Sequence, residues 1–126
     1  MLEVNRPEVV ADVREFFLRY EAALVGNDVP ALDAMFWNSP LSVRFGVGET
    51  LYGYAAIQAF RAGRSPQGLA RSLRNTIITT FGTDFATTAT EYLRDGQAAT
   101  GRQMQTLVRF PEGWRIVAAH VSLSGG

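Results

Sequence analysis

The chain has 126 residues, 47% of them hydrophobic, with twelve basic residues balanced by twelve acidic ones, no cysteine and one histidine. That length suits one domain around one core, here read as 1–126. The even charge and the lack of a basic run exclude a phosphate-tracking nucleic-acid binder. The missing cysteines exclude disulfides and thiolate chemistry, a lone histidine cannot build a multi-histidine zinc site within one chain, and the absence of lysine excludes Schiff-base catalysis.

Residues 7–25 repeat apolar side chains at Val13, Phe17, Tyr20 and Leu24, the spacing of one helical face. Asn5 is placed to cap this helix and Pro7 suits its first turn. Gly26-Asn27 ends it, and a short helix is predicted over 30–36 with Asp28 or Val29 at its cap. Residues 41–45 alternate as a strand. The turn "GVGE" leads to a second short strand around Leu51-Tyr52, and 54–62 reads as a third helix. Strands are predicted near 71–81, 85–93, 98–110 and 114–123, separated by the hairpin-type breaks "GTD", "RDGQ" and "PEG". This order gives an α+β plan, a curved sheet with helices on one face and a pocket at the open end. No stretch reaches the ~20 apolar residues of a membrane helix, and "MLEVNRPEVV" lacks the apolar core of a secretory signal. A soluble, cytoplasmic protein with no membrane partner is the expectation.

Two residues stand out. Arg44 puts a permanent charge between Val43 and Phe45 in a segment that otherwise reads as core. Burying it unpaired costs several kcal/mol, so it needs an acid such as Glu49 or Glu91, carbonyl oxygens, or an anionic ligand gripped through the guanidinium fork. Tyr20 lies on the apolar face of the first helix, either as a core tyrosine with a bonded hydroxyl or as a proton donor at the pocket floor. "GVGETL" does not continue to the third glycine of a dinucleotide loop, and its glycines are read as supplying positive φ in a tight turn.

The segments "FWNSPLSVRFGVGETLYGYAAIQAFRAGR", "ITTFGTDFATTATEY", "GRQMQTLVRFPEGWRIVAAHVS" and the helix ending "FFLRYEAAL" resemble the AtzH-like family, which includes the HpxZ-type oxalurate catabolism proteins. The layout is similar to the NTF2-like, SnoaL-like superfamily. The resemblance implies a cystatin-like cone, a mainly antiparallel sheet wrapped around a long N-terminal helix and two shorter ones. It also implies removal of a carboxyl group from 1,3-dicarboxyurea to give allophanate, without a cofactor or metal, with Tyr20 and Arg44 at the matching catalytic positions. The alternative is a non-catalytic, small-anion-binding or amidase-accessory protein, since the fold serves both uses.

Around this pair, Arg71 is a candidate second anion clamp, with Arg74 three residues on and facing the other way. Trp37 and Tyr54 are candidate aromatic lining. Gln103 and Gln105 share one face of a strand and suit urea recognition or a polar outer face, and Glu91 is of the same kind. His120 falls with Trp114, Ile116, Ala118 and Ser122 on one alternation, as a hydrogen-bonded structural histidine or a pocket residue. The last two strands read as apolar on both alternations, Ile116 and Ala118 one way and Val117, Ala119 and Val121 the other, which predicts a homodimer or higher oligomer through the outer sheet face.

Overall fold

Seven side chains on one face of α1 (Pro7–Val25) are buried: Val9, Val13, Phe16, Phe17, Tyr20, Ala23 and Leu24. At ~1.5–3 kcal/mol for each large apolar group, this stripe is what holds the helix against the sheet. The structure is a computed structural model that describes residues 2–124. After α1 come α2 (Val29–Met35), β1 (Val43–Phe45), β2 (Thr50–Tyr52), α3 (Tyr54–Gly63), β3 (Ser72–Phe81), β4 (Phe85–Leu93), β5 (Gly101–Phe110) and β6 (Gly113–Leu123). The strands form one curved sheet in the order β2-β1-β6-β5-β4-β3. β1 runs parallel to β6, and every other neighbouring pair is antiparallel. The core lies between α1, α2 and the inner sheet face, where Ile78, Ala86, Leu107, Trp114, Ile116 and Ala119 meet the helices.

The ends of α1 and α2 follow local chemistry. Asp28 accepts a hydrogen bond from the Ala31 amide at the start of α2. Asn5 does not cap α1 as expected; Arg6 holds the cap position with no side-chain bond. Asn5 instead adopts a left-handed φ of 59°. It pairs with Thr80 through both its amide and its side-chain oxygen, pinning the N-terminal segment to β3.

An interruption in β6 decides which residues face inward. Leu107 pairs with Ile116 and Thr106 with Ala118, so Val117 is an extra residue, a β-bulge. One extra residue inverts the alternation beyond it. Trp114 and Ile116 are buried before the bulge, and Ala119 is buried after it. The apolar run of β6 is therefore one inward series with a phase change, and the outer side carries a shallow groove containing Val43, Phe45, Met104, Ala118 and His120.

A missing side chain shapes the inner face of β5. Gly101 pairs with Tyr92 of β4, and a Cβ at Gly101 would come within 2.0 Å of the Tyr92 ring. The glycine is there for space. Gly101→Ala is expected to cost roughly 1–3 kcal/mol through overpacking, measured as a lower denaturant midpoint at unchanged m-value. An unshifted midpoint would show that the ring is not wedged against this glycine.

Candidate functional site

The inward alternations of β4, β5 and β6 and the C-terminal part of α1 end at one cavity of about 250 Å³. Its lining includes Tyr20 and Leu24 from α1, Gln103 from β5, and Val121 and Leu123 from the shifted end of β6. Four arginines also line it: Arg44 from β1, Arg64 after α3, Arg71 before β3 and Arg94 after β4. Behind Tyr20 lies a fifth, Arg61 of α3, 1% exposed, with Nη2 donating to the Tyr20 hydroxyl oxygen at 2.8 Å.

The five guanidiniums rest on two rings. Arg44, Arg61 and Arg64 lie over Phe60 at 5.0, 5.9 and 5.9 Å from its centroid. Arg71 and Arg94 lie over Tyr92 at 4.5 and 4.9 Å. Cation–π contacts of this kind gain strength as water is excluded. Two carboxylates partner the cluster. Glu49 binds Arg44 at 2.5 Å, and Glu21 takes the Arg71 fork in two parallel bonds of 2.9 and 2.7 Å. Arg71 also donates to Gln103 Oε1. Among the described residues Arg61, Arg64 and Arg94 form no ion pair.

The Arg44–Glu49 pair explains the glycine of "GVGE". Gly46 does not have a positive φ, contrary to the expectation from sequence. Its absent Cβ would lie 1.8 Å from the Glu49 carboxylate and 2.9 Å from Arg44 Nη1, so the hairpin closes over the ion pair only because there is no side chain there.

This cationic surplus shifts protonation. Burial pushes the Tyr20 phenol up, but the charges of Arg61, Arg44 and Arg71, with the Arg61 hydrogen bond, outweigh it and hold the group below its ordinary value. Burial, then the charges of Arg61, Arg44 and Arg94, push Arg64 down to about 10. Neighbours that disfavour a cation mark a place where an anion is favoured.

Tyr20, Arg44 and Arg71 thus meet in one cavity, with Gln103 beside them. Four other candidates do not line it. Trp37 stacks on Phe110 at 5.5 Å, and the Tyr54 hydroxyl donates to the Asp33 carbonyl, tying α3 to α2; both border a separate depression. Gln105 is buried on the inner face, away from the cavity lining, with neither side-chain polar atom partnered. His120 is on the outer face because of the Val117 bulge, edge-on to Phe45 at 6.0 Å. Arg74 and Glu91 pair with each other outside the cavity. Arg61, Arg64 and Arg94 are the residues that sequence reasoning missed. Among the described residues, no three His, Asp or Glu side chains converge as metal ligands do, and no helix is long and apolar enough to cross a membrane.

A family model described as AtzH-like matches residues 2–125. A protein of unknown function of the DUF3225 family from Pectobacterium atrosepticum is 57% identical over 97% of this chain and 95% of its own, with a TM-score of 0.96. A cystatin-like fold protein from Burkholderia xenovorans is 49% identical over 100% of this chain and 99% of its own, with a TM-score of 0.95. An NTF2-like protein of unknown function from Pseudomonas putida, 16% identical over 96% and 90% of the two chains, shares the fold with a TM-score of 0.78. No curated protein matches.

Five guanidiniums facing two carboxylates predict selection by charge. Malonate is expected to stabilise the protein by ~2.7 kcal/mol at a hundredfold excess over its dissociation constant, acetate at the same concentration by less, with both effects shrinking as salt is added. Thermal melts across a ligand and salt series measure this. Equal stabilisation by neutral amides of the same size would remove the anion preference.

Proposed function

As the chain belongs to the AtzH-like family, we propose that it is a cofactor-free decarboxylating amidohydrolase acting on a small carboxylated urea, of the 1,3-dicarboxyurea-to-allophanate type. One observation carries this reading: a buried phenol hydroxyl stands in a small cavity where guanidiniums outnumber carboxylates. The reaction needs a site for a dianion and a proton for the nitrogen that loses its carboxyl group. Arg44 holds a substrate carboxylate, with Arg64 and Arg94 adding positive charge from the end of α3 and the end of β4. As the carbon–nitrogen bond of R–NH–COO⁻ breaks, its electron pair stays on nitrogen. The Tyr20 O–H proton moves to that nitrogen and carbon dioxide leaves. The phenolate left on Tyr20 is stabilised by the surrounding cations until it takes a proton from solvent. The lowered phenol pKa suits this role, because a stronger acid gives up its proton more readily while remaining a donor.

A second reading draws on the same charge surplus. The pocket binds a small ureide or other small anion without turning it over, beside an amidase that does the chemistry. Purified, metal-stripped protein incubated with carboxylated ureas, oxalurate and allophanate separates the two. Product formation supports the enzyme, and calorimetric binding without product supports the binding protein.

Tyr20→Phe keeps the ring against Val13, Phe17 and Leu24 and removes only the hydroxyl. It is expected to lower turnover by roughly 10²–10⁴ with the fold retained. Arg44→Lys keeps the charge but loses the fork that meets Glu49 and a ligand, so both binding and rate should fall. Melting temperature and turnover measured on the same samples decide the matter. Full activity in folded Tyr20→Phe removes the tyrosine from the mechanism.

A further inference from the structure

Arg61 is the one member of the cluster that is almost wholly buried and has no carboxylate partner among the described residues. Its Nε and Nη1 are buried without a hydrogen-bond partner. Its contacts are the Tyr20 hydroxyl and the rings of Phe36 and Phe60, each 5.9 Å away. A buried guanidinium so weakly compensated costs stability, and replacing it with a neutral side chain of similar length removes that cost. Burdens of this kind concentrate at functional sites.

The chemistry of the contact gives Arg61 a direction. A guanidinium has five donors and no acceptor, so in the Arg61–Tyr20 bond the phenol oxygen is the acceptor. The Tyr20 proton cannot point at Arg61. Tyr20 Oη donates to no described residue, and the side chain lines the cavity, which leaves the proton directed at whatever acceptor the cavity holds.

We propose that Arg61 is a positioning residue for Tyr20: its Nη2 hydrogen bond fixes the phenol oxygen as an acceptor, aims the O–H proton into the cavity, and holds the phenolate once that proton has left. This rests on the reading of Tyr20 as the proton donor. The balance is simple: one proton passes from Tyr20 to the ligand, and the charge left on oxygen is met by the guanidinium already bonded to it. The lowered phenol pKa, to which Arg61 contributes both charge and hydrogen bond, agrees with the geometry. A phenol with a folded-state pKa below its unfolded one adds stability above the unfolded value, and that stability is lost as pH falls through the folded value.

The test follows the tyrosinate absorbance band through an alkaline titration of the ligand-free protein, alongside the pH profile of turnover on a carboxylated urea. In the wild type, Tyr20 should ionise before Tyr54, which burial and then the Asp33 charge push up, and this early phase should vanish in Tyr20→Phe. Arg61→Met should move the Tyr20 phase to higher pH, shift the pH profile with it, and lower turnover by roughly 10²-fold, as loss of one preorganised donor does. Arg61→Lys should preserve part of both effects, and its retained cation keeps the measurement available if the methionine variant folds poorly. An early phase and pH profile left in place by both Arg61 variants, with Tyr20→Phe inactive, would overturn the Arg61 inference and leave the donor reading intact. An Arg61-dependent early phase with full turnover in Tyr20→Phe would uphold the pairing and overturn the donor reading.

Discussion

Positive charges repel, and this molecule gathers five of them around about 250 Å³ of space. What makes the arrangement tolerable is the placing of two aromatic rings. Phe60 carries Arg44, Arg61 and Arg64, and Tyr92 carries Arg71 and Arg94. A ring face offers negative charge density without adding a net charge. The field in the cavity therefore stays positive while each guanidinium is held in place. Much of the surrounding structure serves those rings. α3 presents Phe60 next to Arg61, and the gap at Gly101 lets the Tyr92 ring lie on the inner sheet face.

The arginines then divide into two kinds. Arg44 and Arg71 each have a carboxylate of their own, which fixes their geometry and offsets their charge. Arg61, Arg64 and Arg94 supply the surplus. A cavity of paired arginines alone would be well ordered and indifferent to anions; one of unpaired arginines alone would attract anions without holding their orientation. The combination gives fixed geometry with net attraction for a small anion, the electrostatic preorganisation that the proposed reaction calls for.

The element plan was legible because apolar periodicity, turn residues and helix punctuation agreed along the chain. Tyr20 was visible from its place in the α1 stripe, and Arg44 from its conflict with its neighbours. Arg61 and Arg64 carry a signal of the same type: Tyr54, Ile57, Arg61 and Arg64 repeat at three, four and three, so Arg61 occupies a position that a helix buries. Arg94 continues the inward alternation of Thr88, Thr90 and Tyr92 beyond the end of β4. Trp37 and Tyr54 were misplaced because closeness to Arg44 in sequence does not survive the turn from α2 into β1. His120 could not be placed from pattern. In "IVAAHV" either phase of the alternation is apolar, so nothing in the residues marks where the phase changes.

That phase change lets one strand do two unlike jobs. Below Val117, β6 sends Trp114 and Ile116 into the dry core; above it, Val121 and Leu123 become a cavity wall. The inserted residue works like a gear tooth that sets the upper half of the strand independently of the lower half. Drawing Val117 into regular pairing would re-index the upper half alone: His120 would turn inward and Val121 toward the outside, leaving the packing of Trp114 and Ile116 in register. A slip of one residue in pairing, made far from Tyr20, would thus exchange an aliphatic wall for a titratable one, altering the chemistry of the cavity with no change in any of its arginines.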